Sequence, residues 1–212
     1  MISLIIIILL SYLAGSIPTS IILSKLLRGI DIRDYGSGNA GGTNAMRVLG
    51  WKIGSVVMLI DVAKGVVATL LISSIRVDYV SVQLTEVVQI IAGIMAVFGH
   101  IWTVFAGFRG GKGVGTAAGM LIALYPLAAL ICVIIFITTL LIGRIVSVSS
   151  MTAAISLPIV LMILHTYFQH ATSNLLLYFS IFIAVLIVFT HRSNIQRLIK
   201  GEENRVQFRK AK

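Results

Sequence analysis

Charged residues are scarce in this chain: 11% of its 212 residues are Asp, Glu, Lys or Arg, while 58% are hydrophobic. About a quarter of the residues in a soluble domain are charged, so these few charges cannot cover a water-soluble globule. An open sheet cannot cross a bilayer either, because its edge would leave backbone groups unpaired in lipid. The apolar stretches, several of which reach the roughly 20 residues that a spanning helix needs, run at about 2–25, 53–75, 84–106, 114–142, 147–168 and 174–190. The sequence therefore predicts a polytopic, all-α membrane protein that forms one domain over residues 1–212.

Cysteine and acidic residues are also few. The one cysteine, Cys132, excludes an intrachain disulfide, and no Cys/His cluster has the spacing of a metal site. With 17 Lys and Arg against 7 Asp and Glu, the formal net charge is +10. No nucleic-acid-binding motif accompanies this charge, and cytoplasmic loops of membrane proteins are rich in Lys and Arg. We therefore expect no bound metal and no nucleic-acid partner, and we expect membrane lipid around the chain.

The basic residues also indicate the topology. They concentrate in residues 25–52, at Arg109 and Lys112, and after His191, which places these segments in the cytoplasm. With six crossings, the basic tail after His191 would lie on the opposite side of the membrane from the other basic segments. Pro126 lies inside the stretch 114–142, and proline ends or kinks a helix. Two helices, at about 114–124 and 126–142, then make seven in all, with the N-terminus outside and the C-terminus cytoplasmic. The first of the two is too short to span alone, at about 1.5 Å per residue, so we expect protein to shelter it.

The first cytoplasmic loop is rich in glycine. Gly36, Gly38 and Gly41 match G-x-G-x-x-G, but a membrane helix precedes them where a dinucleotide-binding fold needs a strand. Glycines let backbone N–H groups wrap an anion, and Arg47 can hold a phosphate with two hydrogen bonds. We predict an anion-binding loop here rather than a flexible connector. Its small polar donors are Ser37, Asn39, Thr43 and Asn44.

A second glycine-rich loop, residues 107–116, resembles the phosphate loop of nucleotide-binding proteins without matching it. Ala106 stands where that motif needs glycine, and Gly113 follows Lys112 where serine or threonine would bind magnesium. Lys112 nevertheless precedes a short helix, whose N-terminus favours anions. This loop is predicted to bind phosphate without being an ATPase.

Three further groups of residues stand out. Helical spacing places His191, Asn194 and Leu198 on one face after the last span, and histidine is the side chain whose ordinary pKa lies nearest neutral pH. The serines at 147, 149 and 150 open a helix, where they either cap it or contribute to a site. Asp61 and Lys64 lie within the second span, where charges are functional candidates by default, with a structural ion pair as the alternative.

Taken in this order, the motifs resemble the bacterial acyl-phosphate:glycerol-3-phosphate acyltransferase family. The resemblance covers essentially the whole chain and includes Gly15-Ser16-Ile17-Pro18 and the segment from Asp61 to Gly65. The departures are small: Gly42 and Gly115 stand where alanine is usual, and Arg109 where lysine is common.

The resemblance implies an enzyme of phospholipid synthesis in the bacterial inner (plasma) membrane, with its site facing the cytoplasm. It would transfer a fatty acyl group from acyl phosphate to the 1-hydroxyl of glycerol 3-phosphate, giving lysophosphatidic acid and phosphate without cofactor or metal. Contact with the enzyme that makes acyl phosphate is also expected. The implied catalytic residues are Ser37, Lys112, His191 and Asn194. The implied substrate- and phosphate-binding residues are Gly38, Asn39, Thr43, Asn44, Arg47, Gly111, Gly113, Ser147 and Ser150.

Two alternatives stay open at this point. Either His191 or a phosphate oxygen of the acyl donor is the base that takes the hydroxyl proton. The chain could also be a transporter or binding protein for an organic phosphate, although such a protein typically has internal repeats and polar residues near the midplane. Asp61 and Lys64 are the candidates for such residues, and no convincing repeat is visible.

Overall fold

A computed structural model describes residues 1–79, 84–168 and 173–206, and the predicted all-α class is confirmed over these ranges. The apolar runs form helices because lipid offers no hydrogen-bond partner, and a helix pairs its backbone N–H and C=O groups within itself. The α-helices are α1 (Ile2–Ser16), α2 (Thr19–Arg28), α3 (Gly42–Leu49), α4 (Trp51–Leu70), α5 (Thr85–Ile101), α6 (Val114–Leu124), α7 (Pro126–Gly143), α8 (Val146–Phe168), α9 (Asn174–Thr190) and α10 (Arg192–Ile199).

Within the described ranges, five helical segments are long and apolar enough to cross a membrane. They are Ile2–Arg28, Trp51–Ser74, Thr85–Ala106, Pro126–Gly143 and Val146–Tyr167. A sixth is counted if α9 and α10, which meet at a bend of 56°, form one span. With 11 residues, α6 is a shorter apolar helix. The chain is thus a helical membrane protein, and the count of seven spans stays a prediction.

Two prolines break the helices. The predicted break in the stretch 114–142 is confirmed, because α6 ends at Leu124 and α7 begins at Pro126. A second break, which the apolar run 2–25 concealed, separates α1 from α2 at Ile17-Pro18. Proline has no N–H to continue the helical ladder. The Ile17 carbonyl, at the break itself, accepts hydrogen bonds from the Thr19 N–H at 3.0 Å and from Lys64 Nζ at 2.6 Å, so a buried lysine stabilises the broken span.

Residues 1–124 form one compact unit, in which α6 packs on α4 and α1 packs on α5. Glycines allow the α4 and α6 backbones to approach closely. A Cβ atom at Gly119 would lie 1.9 Å from the Val62 carbonyl oxygen, and one at Gly65 would lie 2.1 Å from that of Thr116. Small residues at helix contacts are the usual means of tight packing in membranes. The expected shelter of the short helix α6 by protein is therefore confirmed.

Residues 125–212 form the second compact unit, in which α7 packs on α8 and α8 packs on α9. Pro126 occupies the first turn of α7, where its missing N–H has no helical partner to lose. Leu161 of α8 and Ile187 of α9 are fully buried. The single domain predicted for 1–212 stays a prediction, because two compact units can belong to one domain.

Candidate active site

The first glycine-rich loop is wound around the side chain of Asn44, which is 1% exposed. Its Nδ2 donates to the carbonyl oxygens of Ile32, Tyr35 and Asn39 at 3.2, 3.0 and 3.0 Å. Its Oδ1 accepts the Ser37 N–H at 2.8 Å. One amide thus satisfies four backbone groups, as polar groups withdrawn from water require. The segment is therefore an ordered loop with its own hydrogen-bonded core, and not a flexible connector.

The glycines of this loop are needed for its shape. Gly36 and Gly38 have φ angles of +63° and +72°, which residues with a side chain rarely adopt. A Cβ atom at Gly36 would also lie 2.3 Å from Asn44 Oδ1. The resulting turns leave Gly38 and Arg47 exposed, with Ser37 and Thr43 half-buried beside them. The predicted anion-binding groups therefore line an accessible edge, while Asn44 holds that edge from behind.

The second loop folds back against the end of α5. The Gly110 N–H donates to the Ile101 carbonyl at 3.0 Å, and the Gly111 N–H donates to the His100 carbonyl at 2.9 Å. Gly113, with a φ of +84°, then turns the chain into α6 at Val114. Half-buried Lys112 lies just before the first turn of α6. The predicted position of this lysine at a helix start is confirmed.

Arg33 ties the two loops together. Its guanidinium donates to the Ala106 carbonyl at 2.8 Å and forms a fork on Asp31, with Nε–Oδ1 at 3.0 Å and Nη2–Oδ2 at 2.7 Å. The hydrogen bonds from Arg33 lower the pKa of Asp31 to about 2, against the opposing effect of burial. A carboxyl with a lowered pKa contributes stability above its ordinary value of 3.8 and loses it as pH falls toward 2. The tie is therefore fully charged at neutral pH. Sequence reasoning counted Arg33 only as a cytoplasmic charge.

Three buried ionisable side chains meet beneath the second loop. Lys64 Nζ lies 2.7 Å from Asp61 Oδ1, and His100 Nδ1 lies 3.5 Å from the same oxygen. All three side chains are at most 8% exposed. The ion pair that the three-residue spacing suggested is present, and His100 is its third member. Sequence spacing could not reveal His100, because it lies on a different helix.

In the second unit, Glu203 gathers the predicted residues Ser147 and Asn194. Its Oε1 accepts from Ser147 Oγ at 3.0 Å and from Asn194 Nδ2 at 2.6 Å, while Oε2 accepts from Arg197 Nε at 2.7 Å. Burial alone would raise the pKa of Glu203, but the hydrogen bonds from Asn194, Arg197 and Ser147 outweigh it and lower that pKa. Glu203 is thus an ionised anchor. The one available signal was an acidic residue within a basic tail, and sequence reasoning missed it.

His191 joins α9 to α10 and is buried together with Asn194, at 3% and 5% exposure. Their predicted position on one face is confirmed. The His191 Nδ1 lies 2.7 Å from the Ile187 carbonyl oxygen. Because a carbonyl only accepts, Nδ1 carries the hydrogen, and Nε2 is the basic nitrogen of the neutral ring. His191 also accepts the Asn194 N–H at its carbonyl, at 2.8 Å.

The other serines of the 147–150 turn are buried as well. Ser149 donates to the carbonyl of Ile145, the residue before α8, at 3.0 Å, and Ser150 is 5% exposed. Over residues 1–79, 84–168 and 173–206, no three His, Cys, Asp or Glu side chains are grouped to hold a metal ion. The expectation of metal-independent chemistry stays a prediction.

The fold and its loops define a class: an integral-membrane protein with built, anion-suited loops beside its helices. The family model described as glycerol-3-phosphate acyltransferase matches residues 5–201. The chain belongs to this family, so the resemblance drawn from its motifs is confirmed, as is the prediction of a membrane acyltransferase.

Relatives of similar length support this assignment. The glycerol-3-phosphate acyltransferase of Chlorobium chlorochromatii is 46% identical over 99% of this chain and 100% of its own. That of Chlorobaculum tepidum is 48% identical over 95% and 96% of the two chains. A crystal structure is known for PlsY, an integral membrane glycerol 3-phosphate acyltransferase, in its glycerol 3-phosphate form. Its sequence is 36% identical to this one, and the match covers 97% of this chain and 96% of that chain with a TM-score of 0.83.

The first loop depends on the donors of Asn44, and Asn44→Asp removes them while preserving size. We expect at least a tenfold loss of kcat/KM in a glycerol 3-phosphate acylation assay, since buried carbonyls without donors cost about 1–3 kcal/mol each. The matched control is Asn174→Asp, an exposed site in the first turn of α9 where a carboxylate suits the helix dipole. Activity of Asn44→Asp within twofold of the parent would show that the loop does not need this amide.

Proposed function

We propose that this chain transfers a fatty acyl group from acyl phosphate to the 1-hydroxyl of glycerol 3-phosphate, giving lysophosphatidic acid and inorganic phosphate. This would be the first acylation of phospholipid synthesis. The observation that carries the proposal is the pair of glycine-rich loops, joined through Arg33 and bearing Arg47 and Lys112. Both substrates carry phosphate, and PlsY, the structural relative, is described in glycerol 3-phosphate and lysophosphatidic acid forms.

The reaction balances without a cofactor. The hydroxyl oxygen of glycerol 3-phosphate attacks the acyl carbon, and an ester C–O bond forms as the bond from that carbon to the phosphate oxygen breaks. The phosphate leaves with the bonding electrons, and the hydroxyl proton passes to a base. Fixed cations and backbone N–H groups stabilise the charge that develops on oxygen without having to move during the reaction.

Each predicted residue receives a role in this proposal. Phosphate binds at the edge of the first loop, to Arg47, Thr43, Gly38 and Asn39. Ser37 contacts the reacting groups at the same edge. Gly111 and Gly113 present Lys112 to phosphate, and Asn44 acts indirectly by holding the first loop together.

The second unit supplies the remaining roles. His191 is a candidate base through Nε2, since Nδ1 is held by the Ile187 carbonyl. Asn194 and Ser147 are substrate contacts oriented by Glu203. Ser150 is a further binding residue. The activity of His191→Ala decides whether His191 or a phosphate oxygen of the donor is the base. A strong loss of activity would favour His191, and a mild loss would favour the phosphate oxygen.

The proposed donor and site are tested with purified protein, palmitoyl phosphate and radiolabelled glycerol 3-phosphate, without CoA or added metal. We expect lysophosphatidate from the parent and at least a hundredfold loss in Lys112→Ala, because removing one preorganised electrostatic contact costs about 10²–10³ in kcat. The matched control is Lys52→Ala, which removes an exposed cation stacked on Trp51 at 5.9 Å. Product only with acyl-CoA would refute the donor. Uptake of glycerol 3-phosphate into vesicles without any product would support the transporter.

We further propose seven membrane helices, with α6 and α7 entering and returning, α1 starting outside and α10 cytoplasmic. The glycine-rich loops then face the cytoplasm of a bacterial inner membrane, where an acyl-phosphate-making enzyme can contact the protein and deliver its product. Crosslinking of that enzyme to the protein in intact membranes tests the contact. The Lys and Arg residues near these loops and in α10 support this orientation.

The orientation is tested by thiol labelling after Cys132→Ala. A membrane-impermeant reagent should modify Val77→Cys in intact cells, but Asp34→Cys and Arg192→Cys only after the membrane is opened. All three positions are exposed. Positions 34 and 192 lie on the same side only if α6 and α7 cross separately. Labelling of Arg192→Cys from outside would therefore contradict seven helices.

A further inference from the structure

We propose that His100, held by Asp61, is a positioning residue for Lys112: its imidazole is the support on which the 110–113 loop rests. The inference depends on the role of Lys112 proposed above. It gives a purpose to the buried Asp61, Lys64 and His100 cluster, which the reaction itself does not use.

The contact between His100 and Gly111 is unusually close. A Cβ atom at Gly111 would lie 2.0 Å from His100 Nε2, 2.8 Å from Cε1 and 2.9 Å from Cδ2. The Gly111 N–H also donates to the His100 carbonyl at 2.9 Å. The ring and the backbone of one histidine therefore hold the residue directly before Lys112. Any side chain at 111 would have to displace the imidazole from this position.

Asp61 fixes that imidazole. Its Oδ1 lies 3.5 Å from His100 Nδ1 and 2.7 Å from Lys64 Nζ, and Lys64 reaches on to the Ile17 carbonyl at 2.6 Å. The other end of the loop rests on the same carboxylate residue. A Cβ atom at Gly115 would lie 3.2 Å from Asp61 Cβ. Lys112 thus lies between Gly111, which packs on His100, and Gly115, which packs on Asp61.

Helix packing alone does not explain this cluster. Taking charged groups out of water is costly, and apolar residues of similar volume often hold helices together as well or better. Ionisable residues inside membrane spans accordingly mark functional positions. The contact between Asp61 and His100 instead fixes the position of the backbone next to Lys112. A misplacement of about 1 Å can cost 10²-fold in rate.

The test is a double-mutant cycle between Gly111→Ala and His100→Asn. Asparagine keeps a nitrogen near the Nδ1 position for Asp61 but lacks the Nε2 and Cε1 atoms that would meet a Cβ at 111. We expect Gly111→Ala to lower kcat/KM for glycerol 3-phosphate at least tenfold, mainly through kcat, and His100→Asn to lower it severalfold. Adding His100→Asn to Gly111→Ala should restore activity at least threefold.

The matched control is Gly119→Ala, an equally tight site whose Cβ would meet the Val62 backbone 1.9 Å away. His100→Asn should not rescue it. The proposal would be overturned if the fold-losses of Gly111→Ala and His100→Asn multiplied in the double variant. It would also be overturned if His100→Asn restored activity equally to Gly111→Ala and to Gly119→Ala. An inactive parent protein with acyl phosphate would instead overturn the proposed function, so the two failures are distinguishable.

A second series covers the case in which Gly111→Ala does not fold. The kcat should fall from the parent to His100→Asn and again to His100→Ala, with KM for glycerol 3-phosphate changed less than kcat and the midpoint of thermal unfolding lowered by only a few degrees. A kcat that is unchanged in both variants would show that His100 does not position the loop.

Discussion

A backbone carbonyl that a helix releases inside a bilayer has no water to bind, and this constraint governs the structure of the chain. At two places where helices end, a specific side chain takes over. Lys64 binds the Ile17 carbonyl at the Pro18 break, and Asn44 binds three carbonyls of the first loop. Irregular backbone survives at membrane depth only with such partners. The residues that satisfy the backbone are therefore the ones that shape the site.

This constraint also explains why the loops have a defined form without substrate. Arg33 joins the first loop to the Ala106 carbonyl, and the second loop lies against the backbone end of α5. Cations carried by such loops need little reorganisation when charge develops on a substrate, which is the main source of electrostatic catalysis. Glu203 has the corresponding role for Ser147 and Asn194 in the second unit.

Local patterns in the sequence predicted much of this. Hydrophobicity gave the helical class, Pro126 gave the break between α6 and α7, and glycine content gave both loops. The Pro18 break was missed because apolar residues continue on both sides of it, although proline was its signal.

Partners far apart in the chain were beyond such patterns. Arg33 acts on Ala106, and Glu203 on Ser147, 73 and 56 residues away. The role proposed for His100 depends on its contacts with Asp61, on another helix, and with Gly111, in the second loop. Composition and spacing carry no record of these contacts, because each depends on how helices pack against one another.

Amide hydrogen exchange shows whether the two glycine-rich loops hold their shape before substrate binds. Fragments covering 31–47 and 107–116 would be followed by mass spectrometry in the substrate-free protein and with glycerol 3-phosphate. We expect slow exchange without substrate, since the amide of Ser37 already donates to Asn44 Oδ1, and those of Gly110 and Gly111 donate to the carbonyls of Ile101 and His100. Exchange at the rate of an unstructured peptide until glycerol 3-phosphate is added would contradict it.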